Sequence, residues 1–202
     1  MADYYSINKK TTLNSAEFMF EDKYLDFPQD GFFVGTLTSH RVSIPALVDL
    51  ESVPGLVFLY NSPSVQTCVN NCMENMVWRI ATSFDPKVCQ LVLFNGDKPG
   101  SVFNFQFLMP GKLFEQESNK VYFDGNINDF QNTIDRLYNS VPARMSAIRY
   151  AGCNKMSEYI RKKGSNSEFK YTFLFLANLP HGIDISLVQK IYQLVNVGYK
   201  AG

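Results

Sequence analysis

Residues 55–80 read GLVFLYNSPSVQTCVNNCMENMVWRI, and the fold class turns on this stretch. Leu56–Tyr60 is a short continuous apolar run launched by Pro54-Gly55, the pattern of a buried strand. Ser62 is placed to cap a helix and Pro63 suits its first position, where a missing N–H costs nothing. Val65, Cys68, Val69, Cys72, Met76 and Ile80 then recur at steps of three and four, which draws one apolar stripe along a helix. A strand turning straight into a helix is where phosphate-binding folds use the free N–H groups of a helix N-terminus. Yet the turn Asn61–Ser64 carries neither glycine nor lysine. The architecture is that of a nucleotide site, and its chemistry is missing.

Working outward, the same alternation of strand and helix repeats. Upstream, Gly31–Leu37 and Arg41–Ser43 predict a small hairpin, and Ile44–Val48 a short helix or turn. Downstream, Val88–Phe94 predicts a second buried strand, ending in a loop that holds Asp97 and Lys98. Phe103–Leu108 reads as a short packed segment and Val121–Phe123 as a third strand. A long helix follows from Ile127, with Asn126 as its cap, Pro142 as a kink or break and Gly152 as its stop. Met156–Lys163 predicts a short helix stopped by Gly164, and Tyr171–Leu176 (YTFLFL) the strongest strand. Asp184 or Ser186 opens a last helix with Ile185, Val188, Ile191, Tyr192 and Val195 on its buried side, ending at Gly198. Strands alternating with helices argue for an α/β fold with a mostly parallel sheet and a ligand crevice at the strand C-terminal ends.

The totals bound the function classes. The 202 residues suffice for one domain with a substantial core, and a formal net charge of zero gives no global pull toward nucleic acid or membrane. No apolar run approaches the roughly 20 residues of a membrane helix, and the N-terminus lacks a signal-peptide core. Cys68, Cys72, Cys89 and Cys153 form no C-x-x-C, so a buried helix face outweighs a metal site for Cys68 and Cys72. These features predict a reduced, cytoplasmic protein. Locally, Arg144, Arg149, Lys155, Arg161, Lys162, Lys163 and Lys170 make residues 144–170 basic. That face suits DNA or a protein partner, although Arg161-Lys162-Lys163 also simply complements a helix C-terminus.

Read together, several collinear segments over residues 31–202 resemble the FtsK/SpoIIIE family of hexameric P-loop DNA translocases. GLVFLY followed by a helix ending in MVWRIATSF is similar to the family's Walker A strand and helix. VCQLVLFNGDKPG resembles its second strand and loop, and KVYFDGNINDFQNTIDRLYNSVPARMSAIRYAGCNKMSEYIRKK its third strand and long helix. FKYTFLFLANLP resembles the Walker B strand, and LVQKIYQLVNVGYKAG the helix beyond it. The resemblance is to family members with a degenerate ATPase-like domain ahead of a complete motor domain. It implies a RecA-like P-loop NTPase fold, a mostly parallel sheet flanked by helices. The expected division is a polar leader over 1–30, a β extension over 31–53 and a RecA-like core over 54–202. It also implies a sheet whose last edge, past Gly202, is covered by a further segment or a partner.

The departures from the family decide the expected function. Anchored on Arg79, the P-loop lysine falls near Val65 and the Mg²⁺-binding hydroxyl near Gln66 or Thr67. The Walker B acidic pair falls at Ala177 and Asn178. Without a lysine for the phosphates, an acid for Mg²⁺ or a glutamate for water, in-line hydrolysis has neither metal nor base. The expectation is a pseudo-ATPase with no catalytic residue and no cofactor, packing on neighbouring ATPase domains or on copies of itself. The competing expectation is a sensor in which Asn61, Ser62, Ser64 and Thr67 still hold ATP/Mg or another anion.

Overall fold

The computed structural model describes residues 32–39, 42–49, 51–97, 101–103 and 120–202. The leader over 1–30, the Ser39-His40 turn from residue 40, Lys98 and most of the 103–108 segment lie outside the described residues. The first elements are two antiparallel strands, β1 (Phe32–Ser39) and β2 (Val42–Val48), paired from Phe32↔Val48 to Ser39↔Val42. β2 runs through Ile44–Val48, where a helix or turn was expected, with Pro45 opposite Thr36. A two-stranded ladder consists of edges only, and there a proline is tolerated within a strand.

The core is a three-stranded parallel sheet in the order β4-β3-β5, formed by β3 (Cys89–Asn95), β4 (Lys120–Phe123) and β5 (Tyr171–Ala177). Helices cover both faces, as a parallel sheet requires. On one face Leu91, Leu93 and Phe173 pack with Val77 and Ile80 of α1 (Pro63–Ser83) and Met156 and Ile160 of α3 (Met156–Lys163). On the other, Val92 and Phe94 pack with Phe130, Ile134 and Leu137 of α2 (Ile127–Tyr150) and Leu187, Ile191 and Leu194 of α4 (Ile185–Gly198). Phe94 and Phe130 stack with ring centroids 4.3 Å apart. The alternation of β3 thus fills two cores at once.

Helix starts follow the predicted chemistry. Ser62 Oγ accepts from the Val65 N–H at 3.4 Å with Pro63 next to it, and Asp184 Oδ1 accepts from the Leu187 N–H at 2.7 Å. Asn126 occupies the cap position of α2 without a side-chain capping bond.

Three expectations are corrected. Leu56–Tyr60, taken for the central buried strand, is exposed and belongs to no ladder among the described residues. A five-residue apolar run specifies an extended backbone, while a ladder also needs a neighbouring edge in register, which the run itself does not encode. α2 continues through Pro142 without a break. Pro142 is exposed, and so is Tyr138, whose carbonyl loses its helical donor; solvent can satisfy it. In α4 the buried residues are Leu187, Ile191 and Leu194, while Ile185, Val188 and Tyr192 are exposed. Two adjoining apolar stripes run along this helix, and spacing alone does not say which one meets the sheet. No helix among the described residues is long and apolar enough to cross a membrane.

Candidate functional site

β3 and β5 end level with each other, Asn95 opposite Ala177, so their C-terminal ends form one rim. The Gly96 N–H donates to Ala177 O at 3.1 Å and carries the ladder one step past the strands. There the chain after β5 turns sharply. Asn178 adopts φ +57°, a left-handed conformation that asparagine enters more readily than most residues, and its carbonyl accepts from the His181 N–H at 3.1 Å. Gly96 lies directly under this turn, since a Cβ on it would stand 2.0 Å from His181 O.

Asn178 is the hub of the rim. Its Oδ1 accepts from Gln66 Nε2 at 2.9 Å and from the Tyr60 hydroxyl at 3.3 Å. Its Nδ2 donates to Asn95 Oδ1 at 2.8 Å, an oxygen that also accepts from the Asp97 N–H at 3.1 Å. Asn95 Nδ2 then donates to Ser101 Oγ at 2.8 Å. The result is a directional run of amides from α1 through the ends of β5 and β3 to Ser101. Asn95 and Asn178 are buried, and buried amides stabilise only when paired in this way.

Every member of the run is neutral. Gln66 and Asn178 occupy the positions expected for the Mg²⁺-binding hydroxyl and a Walker B acid, and here they bond directly to each other. A direct amide–amide bond uses the lone pair and the donor that a bridging cation and its water would otherwise engage. Val65, at the expected lysine position, is exposed and brings no charge. Among the described residues no group of three or more His, Cys, Asp or Glu could hold a metal.

The hydroxyls at the start of α1 are committed locally. Ser62 Oγ caps Val65 and lies 3.2 Å from Ser64 Oγ, and Thr67 Oγ1 donates to Pro63 O at 3.1 Å. Asn61 and Asp97 are exposed at the margin. Of the predicted site residues, the structure therefore brings Gln66, Ala177, Asn178 and Asp97 to one rim, with Asn61, Ser62, Ser64, Val65 and Thr67 at the adjoining helix start. Tyr60, Asn95, Gly96 and Ser101 were not anticipated. For Asn95 one signal was present: an asparagine closes each apolar run, LVLFN at the end of β3 and FLFLAN one residue past β5.

The basic residues lie elsewhere. Arg144, expected on a contact face, is buried instead. Its Nη1 donates to Lys170 O at 2.8 Å, Gly202 O at 2.5 Å and Ala201 O at 3.4 Å, and its Nε donates to Ser140 Oγ at 3.1 Å. Its guanidinium also stands 5.5 Å from the Phe169 ring centroid. Burial lowers its pKa to about 10, which leaves it charged at neutral pH. Arg144 thus ties α2 to the start of β5 and to residues 201–202. Arg149 is exposed at the end of α2. Arg161, Lys162 and Lys163 form the last turn of α3, where Lys162 Nζ donates to Ala151 O at 2.6 Å; positive charge is favoured at such a helix end.

No family model, no curated protein and no solved structure matches this chain.

Proposed function

We propose that this chain is a non-hydrolysing, RecA-like domain of FtsK/SpoIIIE type, acting as a structural or regulatory interaction module beside active motor domains. The observation that carries this reading is the Gln66–Asn178–Asn95 amide run at the rim of the parallel sheet. A hydrolytic site at such a rim needs a cation-binding hydroxyl, a carboxylate for the metal and a base for water. The amide run offers none of these and uses its own polar atoms to hold α1, β3 and β5 together. The helix start would be the remaining anion site, but Ser62, Ser64 and Thr67 already serve the local backbone and one another, which disfavours the sensor reading.

The test is equilibrium binding of a fluorescent ATP analogue with Mg²⁺, run beside a phosphate-release assay. Neither binding nor turnover is expected. Saturable micromolar binding would shift the assignment to a nucleotide sensor, and turnover would overturn it.

A further inference from the structure

The turn that follows β2 supplies what α3 lacks. Lys155 occupies the cap position of α3 and makes no side-chain capping bond, so the first amides of that helix need an acceptor from elsewhere. Glu51 provides one from 106 residues away: its Oε1 accepts from the Ser157 N–H at 2.9 Å and its Oε2 from the Ser157 hydroxyl. Ser157 is only 3% exposed, so these are shielded, charge-assisted bonds. Asp49 presents Glu51 for them, accepting from the Glu51 N–H at 3.0 Å and from the Ser52 hydroxyl. Asp49 also lies 3.6 Å from Lys155 Nζ, but both of those side chains are more than a third exposed and the pair adds little. Burial, and then the Glu51 and Asp49 carboxylates, hold the Tyr171 hydroxyl well above its ordinary pKa, which places the turn beside the first residue of β5.

The hairpin on one side of this turn stands apart from the main sheet. β1 and β2 form a ladder of their own. Among the described residues, the bonds of Glu51 and the Asp49–Lys155 pair are the polar ties from residues 32–53 to the rest of the chain. On the other side, residues 54–59 are exposed and join no ladder among the described residues, until the Tyr60 hydroxyl reaches Asn178. Fully extended, such a stretch spans about 20 Å.

A self-paired arm, one point of polar attachment and an exposed tether are the parts of a hinged element. We propose that the β1–β2 hairpin is an arm that opens from the core as a unit, with residues 54–59 as its hinge and Glu51 on Ser157 as its latch. Opening breaks the two Ser157 bonds and uncaps α3, while the ladder from Phe32↔Val48 to Ser39↔Val42 stays whole. The device stands independently of any ancestry in motor ATPases.

Backbone ¹⁵N relaxation of the full chain, with amide exchange read at Ser157, tests this. In the wild type the β1–β2 amides should share the order parameters of β3–β5. In Glu51→Ala the β1–β2 order parameters should fall while their cross-strand contacts persist and β3–β5 stays unchanged, and the Ser157 amide should exchange about tenfold faster. Ser157→Ala keeps the amide bond and a helix-favouring side chain, so it should loosen the hairpin less. Hairpin order that is unchanged in both variants overturns the proposal. So does a β1–β2 ladder that dissolves on release, or a wild-type hairpin already looser than the core.

Discussion

Asn178 Nδ2 donates to Asn95 Oδ1 across 2.8 Å, and this bond links the end of β3 to the turn that follows β5. The same Asn178 oxygen receives Gln66 and Tyr60, so one side chain fastens a helix and a flanking segment to the sheet. Asn178→Ala removes all three bonds and leaves a β-carbon residue without the local polar partner that eases φ +57°. A loss of about 3 kcal/mol is expected from unpaired buried groups and backbone strain. Asn178→Gly, which relieves the strain and still loses the bonds, should cost less. Urea unfolding of both variants measures the difference, and equal losses would remove the strain argument.

Gly96 makes a second, steric prediction. A methyl group there meets His181 O at 2.0 Å and Asn178 O at 3.0 Å, so Gly96→Ala must displace backbone rather than a movable side chain. The expected cost is about 3 kcal/mol, the upper end for overpacking. A thermal melt indistinguishable from that of the wild type would show that the turn after β5 yields.

Arg144 should behave as a buried tie. Arg144→Met strips the Lys170, Ala201 and Gly202 oxygens, half-buried at Lys170 and Gly202 and buried at Ala201, of their shared donor, and the loss is expected at about 2 kcal/mol. Arg161→Gln and Lys163→Gln, on the exposed last turn of α3, should stay within about 0.5 kcal/mol. Urea midpoints for the three variants should therefore separate cleanly.

Acid should weaken the caps. The Asp184 carboxyl is held below its ordinary 3.8 by the Leu187 N–H and then the Ser186 hydroxyl. Asp49 is held below the same value by the Ser52 hydroxyl first, with the Glu51 N–H and Lys155 also lowering it. A carboxyl whose folded pKa lies below its unfolded one stabilises the fold fully above the unfolded value and loses that contribution as pH falls through the folded value. Unfolding midpoints should thus decline as pH drops below about 3.8. Asp184→Asn, which still caps, should show a smaller decline.

The cysteines should react in order of exposure. Burial pushes the Cys89 thiol up to about 12 and raises that of Cys72, while Cys68 is exposed. Thiolate is the reactive form, so a thiol reagent at neutral pH should modify Cys68 first and Cys89 only on unfolding. Mass mapping of early products that found Cys89 labelled would contradict the packing of β3.

The legible parts of this fold are those written locally. Ser62-Pro63, Asp184, Gly152 and Gly164 mark helix ends by side-chain or backbone chemistry that needs no distant partner. Tyr171–Ala177 and Cys89–Asn95 carry enough apolar residues to be strands wherever they pack. Leu56–Tyr60 has the same composition, but its pairing depends on an edge elsewhere in the chain. Arg144 looks like a surface charge by residue type, and its burial depends on carbonyls 26 and 58 residues away. At the rim, Gln66 and Asn178 were legible only as missing functional groups; that they bond to each other is a long-range fact.

The most direct measurement is of the side-chain amide resonances of Gln66, Asn178 and Asn95 in a ¹⁵N-labelled chain, recorded during titration with Mg²⁺-ATP. The account predicts hydrogen-bonded amides whose positions stay fixed at saturating nucleotide. Saturable shifts of the Gln66 and Asn178 resonances together would show that the pair opens to admit metal and phosphate, and would contradict it.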